Sequence, residues 1–205
     1  TVQGMKFPGA PYTLKMACGE NPKRVYGYGN GAIPGGSPFS RMGNMAGYRA
    51  AWIKAAAYKK KWDKYAAEGG EAPARDLQLD TLAGVLSGEI LVHMHCYRAD
   101  EMAQIMDMSK EFGYKVTAFH HAVESYKIAD KLAAYGACSS MWADWWGFKM
   151  EAYDGIPENI ALVQKAGACV IVHSDSEMGI QRLNQEAAKA WADGRKAGID
   201  IPEEV

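Results

Sequence analysis

Ile90-Leu-Val-His-Met-His95, Lys115-Val-Thr-Ala-Phe-His-His121 and Ala168-Cys-Val-Ile-Val-His-Ser-Asp175 decide the fold. Each is a short, nearly continuous apolar run that ends in histidine or aspartate, passes through a polar or aromatic turn, and leads into an amphipathic segment. Runs of this kind read as buried strands of a parallel sheet. After the first run, Met102, Ile105, Met106 and Phe112 recur at helical steps and Gly113 closes the segment, as expected for a helix with one face on a core. A shorter strand candidate, Ala137-Cys-Ser-Ser-Met141, follows a helix expected from Glu124 to Tyr135 and stopped by Gly136. Upstream, Tyr12-Thr-Leu-Lys-Met-Ala-Cys18 has the same character, which makes about five strands.

Parallel neighbours need a crossover, and the crossover is usually a helix. The pattern therefore predicts an α/β fold. Between the first strand and Ile90 lie a Gly-rich stretch from Gly27 to Gly36, a long helix from Phe39 to Ala67, a Gly69-Gly70 break and a second helix over Asp76–Leu86. Residues 36–88 are thus a helical insertion with a connecting helix. Gly27-Tyr-Gly-Asn-Gly31 lacks the strand and helix context of a phosphate loop. An eight-stranded barrel takes about 250 residues and an open doubly wound sheet fewer, so length leaves both possible. The ligand pattern described next favours a partial TIM-type (β/α) barrel.

Composition excludes several classes of function. The 205 residues are 48% hydrophobic and 23% charged, with 23 basic against 24 acidic side chains, so no basic field invites nucleic acid. No apolar run is long enough to span a membrane. Thr1–Pro11 lacks the regions of a signal peptide, which favours the cytoplasm for the chain as it stands. Cys18, Cys96, Cys138 and Cys169 are widely spaced and sit in or beside apolar runs, and they read as buried free thiols.

All five histidines, His93, His95, His120, His121 and His173, stand at or near strand ends. In β/α folds those ends form the functional face. Neutral imidazoles and a carboxylate on adjacent rigid strands suit a divalent transition metal, which singles out His93, His121 and Asp175. Hydrogen-bonded rim histidines, with Asp175 as the cap of the next helix, are the competing reading. His95 shares the face of His93, one step nearer the loop, and could bind substrate. Tyr97 and Arg98 follow it; the guanidinium could take a substrate carboxylate or pair with Asp100 or Glu101. His120 alternates away from His121, toward the helix layer or the neighbouring strand, and is expected to be structural. Met141-Trp-Ala-Asp-Trp-Trp-Gly-Phe-Lys-Met150 either lines a pocket or packs a loop on the rim.

Four stretches, Leu14–Arg24, Val92–Glu101, Phe119–Lys127 and Val172–Asp175, resemble the amidohydrolase superfamily, in its imidazolonepropionase-like and Xaa-Pro dipeptidase-like branch. They come in the order of that family's fourth, fifth, sixth and eighth strands. The resemblance implies that residues 1–205 are the C-terminal portion of a metal-dependent hydrolase barrel, with His93, His121 and Asp175 as metal ligands. Asp175 would also move the proton of a metal-activated water. Lys15 matches a lysine that is carboxylated and bridges two metals in dipeptidase-like members; Glu20 is the alternative ligand, and a lysine snorkelling from its strand is the structural one.

The implied cofactor is a divalent metal, zinc by donor type, as one or two ions. The implied reaction is hydrolysis of an amide bond in a small molecule or dipeptide. Ring opening or deamination of a heterocycle is an alternative on the same fold, and an inactive binding module is another. The family's His-x-His at the end of its first strand has no counterpart ahead of Lys15. A homo-oligomer, or association with the missing barrel half, is therefore expected.

Overall fold

The computed structural model describes residues 2–23, 38 and 40–202. Its elements follow as α1 (Val2–Met5), β1 (Tyr12–Ala17), α2 (Glu20–Lys23), α3 (Arg41–Glu68), α4 (Leu77–Leu86), β2 (Ile90–Cys96), α5 (Ala99–Phe112), β3 (Val116–His121), α6 (Ala129–Tyr135), β4 (Cys138–Met141), α7 (Asn159–Lys165), β5 (Cys169–Val172) and α8 (Leu183–Lys196). The five strands form one parallel sheet in sequence order, β1-β2-β3-β4-β5. Because the first and last strands do not pair, the sheet is an open segment and not a closed barrel.

Local chemistry sets the ends of the helices. Ser40 accepts the Gly43 N–H at the start of α3, and Asp76 accepts the Gln78 and Leu79 N–H groups at the start of α4. These satisfy donors that the helix leaves open. Gly113 and Gly136 end α5 and α6 in the left-handed conformation, as expected from the sequence. The expected helix from Glu124 is divided: Ser125–Ile128 is a 3-10 turn and the α-helix begins at Ala129. The Gly27–Gly36 stretch lies outside the described residues. Every buried side chain of α3 lies between Asn44 and Tyr58, so its last turns overhang the body.

The two faces of the sheet are chemically distinct. Val92, Met94, Cys96, Phe119 and Met141 lie in one buried core with Met102, Ile105 and Met108 of α5, Trp52 of α3, and Leu132 of α6. This is the helix-covered outer face. In-register partners of parallel strands share a face, and the register Lys15–His93, Ala17–His95–His120, His120–Ser140 and Ser140–Ile171 runs along the other one. The inner face is thus polar and rich in histidine. Lys15 and Ile171 are exposed on it.

The cysteines depart from the expectation of free thiols. Cys18 bonds Cys96, with Cα atoms 5.2 Å apart, and Cys138 bonds Cys169, with Cα atoms 4.4 Å apart. Parallel pairing accounts for both. Cys138 and Cys169 are register partners on β4 and β5; Cys18 follows β1 and donates its N–H to the carbonyl of His95, next to Cys96. Linear spacing hides a proximity that strand pairing creates.

Candidate active site

The site forms where β2 and β3 end. The register of β2 with β3 slips after Val92–Val116, so that His93 faces Ala118 and Thr117 is left without a partner. A bulge of one residue moves every later side chain to the opposite face. His120 therefore turns inward, opposite His95, and its Nε2 lies 2.8 Å from His93 Nδ1. His120 thus shares the inner face with His93 and meets it across the strand pair, as one of the two placements expected of it, and not on the helix-covered face. His121 would then face outward, but its φ is +70°, and Ala122 follows at +42°. That backbone turn brings the His121 ring back to the inner face.

Non-glycine residues at positive φ persist only where their surroundings fix them. Here Cys96 O accepts the Ala122 N–H and Tyr97 O accepts the Glu124 N–H. Buried Asn159, the first residue of α7, donates to Ala122 O and Val123 O and accepts the Tyr126 N–H. Glu124 in turn accepts the Ala99 N–H at the start of α5, where Arg98 supplies no side-chain cap. One turn between two helices thus sets the His121 ring.

His121 is 2% exposed and lies at the centre of the cluster. Its ring centroid is 4.4 Å from His95, 4.5 Å from Trp142 and 5.1 Å from both His173 and Tyr97, with Trp142 and Tyr97 stacked on it. Trp142 also stacks on His173 and donates its indole N–H to Ser174 O, which ties β4 to the segment after β5. Asp175, at φ +49°, brings Oδ2 to 3.9 Å from His121 Nδ1 while its side chain stays 54% exposed. The rim thus carries a solvated carboxylate over buried imidazoles.

Burial is the main cause that holds these imidazoles neutral. It pushes His121 down to about 2 and His95, His120 and His173 to about 4, with Lys15 lowering all four further; His93 is lowered by the same two causes. Lys149 adds to the effect on His95. Its ammonium stands 3.9 Å from the Tyr97 ring centroid and 2.7 Å from Glu151 Oε1. Buried Glu151 and Glu101 share Arg41 of α3, at 3.3 and 2.9 Å, and accept the Glu20 and Gly19 N–H groups. This ionic network joins the β1–α2 turn, α3, α5 and the loop after β4 behind the site.

The residues expected from sequence fall into three groups. His95, His121 and Asp175 are gathered at one end of the sheet, whereas His93 stands earlier on β2, beside His120 and in register with Lys15. Tyr97 is buried as the wall behind His95 and His121. Arg98 is engaged elsewhere, its Nε donating to Asp100 Oδ1 at 2.9 Å. His173, Trp142 and Lys149 join the cluster without having been assigned to it. Trp142 packs against His121 and His173, whereas Trp145, Trp146 and Phe148 form an exposed rim.

The donors fit a metal in kind. His95 Nε2, His121 Nδ1 and His173 Nε2 are buried without a hydrogen-bond partner, and neutral imidazole is the form that ligates. They are not arranged as a complete site: among the described residues no group of three or more His, Cys, Asp or Glu side chains is placed to hold a metal ion.

No family model matches the chain. It is similar to the amidohydrolase tasK of Hapsidospora irregularis, 30% identical over 191 residues, which are 87% of this chain and 19% of that protein. It is also similar to the crystal structure of an amidohydrolase from Thermotoga maritima MSB8, with a TM-score of 0.78 and 31% identity, over 95% of this chain and 48% of that one. The chain thus spans about half of the solved relative and about a fifth of the curated one. These similarities support an amidohydrolase family, and the sheet matches part of an amidohydrolase TIM-barrel-like fold in which the barrel is not closed.

Proposed function

We propose that this chain is the C-terminal portion of an amidohydrolase that cleaves an amide bond in a small molecule or dipeptide, within the imidazolonepropionase-like and dipeptidase-like branch. The observation that carries this reading is the set of buried, unpartnered imidazole nitrogens gathered beneath Asp175. His93, His121 and Asp175 would hold a divalent metal, zinc by donor type, with Lys15 as the further ligand if carboxylated. When bound, such a metal supplies an activated water and a polarised carbonyl.

The chain's own residues have separable roles. Asp175, reachable from solvent, accepts the proton of the attacking water and returns it to the departing amine. Tyr97 and Trp142 exclude water from the two faces of His121 and fix its orientation. His95 faces the substrate side. Arg98 would receive a substrate carboxylate only by releasing Asp100.

Zinc analysis tests this reading. The chain is expected to bind zinc stoichiometrically and to lose it in His93→Ala and Asp175→Asn variants. A chain that takes up no metal points to a binding module, and a full-length product that releases no amino acid from a dipeptide panel sinks the peptidase version. The open inner face and the edges of β1 and β5, which are unpaired among the described residues, support completion by a second copy or by the family's earlier strands. A monomer by light scattering would overturn association of this chain with itself.

No helix of the described residues is long and apolar enough to cross a membrane. The bonded cysteines weigh against the cytoplasm and favour an oxidising compartment. Thiol titration of the freshly isolated native protein checks this, since four free thiols would restore the cytoplasmic reading.

A further inference from the structure

The loop after β4 brings a series of aromatic rings to the site. Trp145 stacks on Trp142, with centroids 5.5 Å apart and planes inclined by 23°. Phe148 stands edge-on to Trp142 at 5.7 Å and to Tyr97 at 6.4 Å. Trp142 and Tyr97 are buried against His121, whereas Trp145 and Phe148 are exposed. Each exposed ring is thus one ring removed from His121.

Contacts within this chain set the loop. The Gly147 N–H donates to Ala152 O, and Ala152 is buried in one cluster with Tyr97, Val123 and Trp142. Beside it, buried Glu151 accepts the Glu20 N–H and pairs with Arg41. β4 is an interior strand, flanked by β3 and β5, so the segments that follow both of its neighbours belong to this chain. Further strands of a barrel would join at β1 and β5. The exposure of Trp145 and Phe148 therefore arises neither at an open edge nor on the inner face of the sheet, but on a loop at the strand ends, where the site lies.

The charges of this loop are already engaged. Asp144 pairs with Lys189 at 3.0 Å, Lys149 with Glu151 at 2.7 Å, and Asp154 with Lys127. Aromatic surface is what remains for an incoming group. A ring gains there from stacked or edge-on contact, whereas a charged group would give up hydration without a partner.

We propose that Trp145 and Phe148 are specificity-determining residues that receive an aromatic side chain of the amide substrate. This rests on the reading of the chain as part of an amidohydrolase and names the substrate class, amides and dipeptides of aromatic amino acids. The substrate ring lies against Trp145 and Phe148 while its amide lies at His121 and Asp175.

Ligand-detected NMR titration of the full-length product with N-acetylphenylalaninamide, N-acetylalaninamide and N-acetyllysinamide tests the proposal. The phenylalanine probe is expected to bind about tenfold or more tightly than the alanine probe. Trp145→Ala and Phe148→Ala should each cut that ratio by about threefold or more, and Trp145→Phe, which keeps a ring, should restore most of it. The ratio cancels any loss of binding common to both probes, and its wild-type value stands without the variants. Equal binding of the phenylalanine and alanine probes, tighter binding of the lysine probe, or an aromatic preference that survives both alanine substitutions would each overturn the proposal. Hydrolysis is followed separately: a product that cleaves no amide counts against the amidohydrolase reading, whereas the titrations decide the aromatic subsite.

Discussion

His121 shows how much of this site depends on single residues. Its left-handed backbone is fixed by Asn159, which makes three hydrogen bonds, two of them buried, to the turn that follows. Asn159→Ala removes the side-chain partner of Val123 O and of the Tyr126 N–H, while Ala122 O keeps the Ser125 N–H, at a cost of about 1–3 kcal/mol for a buried group left unsatisfied. The urea midpoint should fall accordingly, and an unchanged midpoint would show that Asn159 does not hold the turn. The histidines make a second prediction. Each titrates below its ordinary value of 6.5, three of them at about 4 and His121 at about 2. As pH falls, the unfolded imidazoles take protons first, so the unfolded state binds more protons between pH 6.5 and about 4. Stability is present in full above 6.5 and is lost across that window; the buried His95 and His121 each contribute up to ~1.4 kcal/mol per pH unit. Urea melts of metal-free protein at pH 7, 6 and 5 should move steadily downward, and coincident melts would contradict the buried neutral cluster.

At the level of elements, sequence pattern was a good guide to what forms and a poor one to which elements meet. Apolar runs and helix-closing glycines marked all five strands within a few residues; β2 runs Ile90–Cys96 where Ile90–His95 was expected, and β5 is shorter than its run, Cys169–Val172. The inward histidines of β2 were legible because alternation holds there. His120 was not, because alternation carries no trace of the unpaired Thr117. The disulfides left a fainter mark: Gly136-Ala-Cys138 and Gly167-Ala-Cys169 place each cysteine at the same offset from a helix-ending glycine, which is what pairs them once the strands align. Helix packing yields a further prediction. At Gly194 of α8 a Cβ would stand 2.7 Å from Ala161 Cβ on α7 and 2.8 Å from Ile201 Cδ1. Overpacking costs roughly 1–3 kcal/mol against up to about 1 kcal/mol of helix propensity gained. Gly194→Ala should therefore lower the melting temperature, and a rise would mean that α7 and α8 separate freely.

For the molecule as a whole, the asymmetry of the sheet matters most: helices bury one face, and the other carries the site. The long helix α3 extends beyond this body. Its 28 residues span about 42 Å, yet nothing after Tyr58 is buried, and that stretch carries Lys59, Lys60, Lys61 and Lys64 ahead of exposed Arg75. A helix end held by so little opens at small free-energy cost, so limited trypsin digestion should cut first between Lys59 and Arg75. The nick divides the chain between β1 and β2, but Cys18 and Cys96 are joined across 78 residues of sequence. The cleaved protein should therefore migrate as one species on a non-reducing gel and as two after reduction, a covalently mended break in which Lys15 stays beside His93 although the backbone between them is severed.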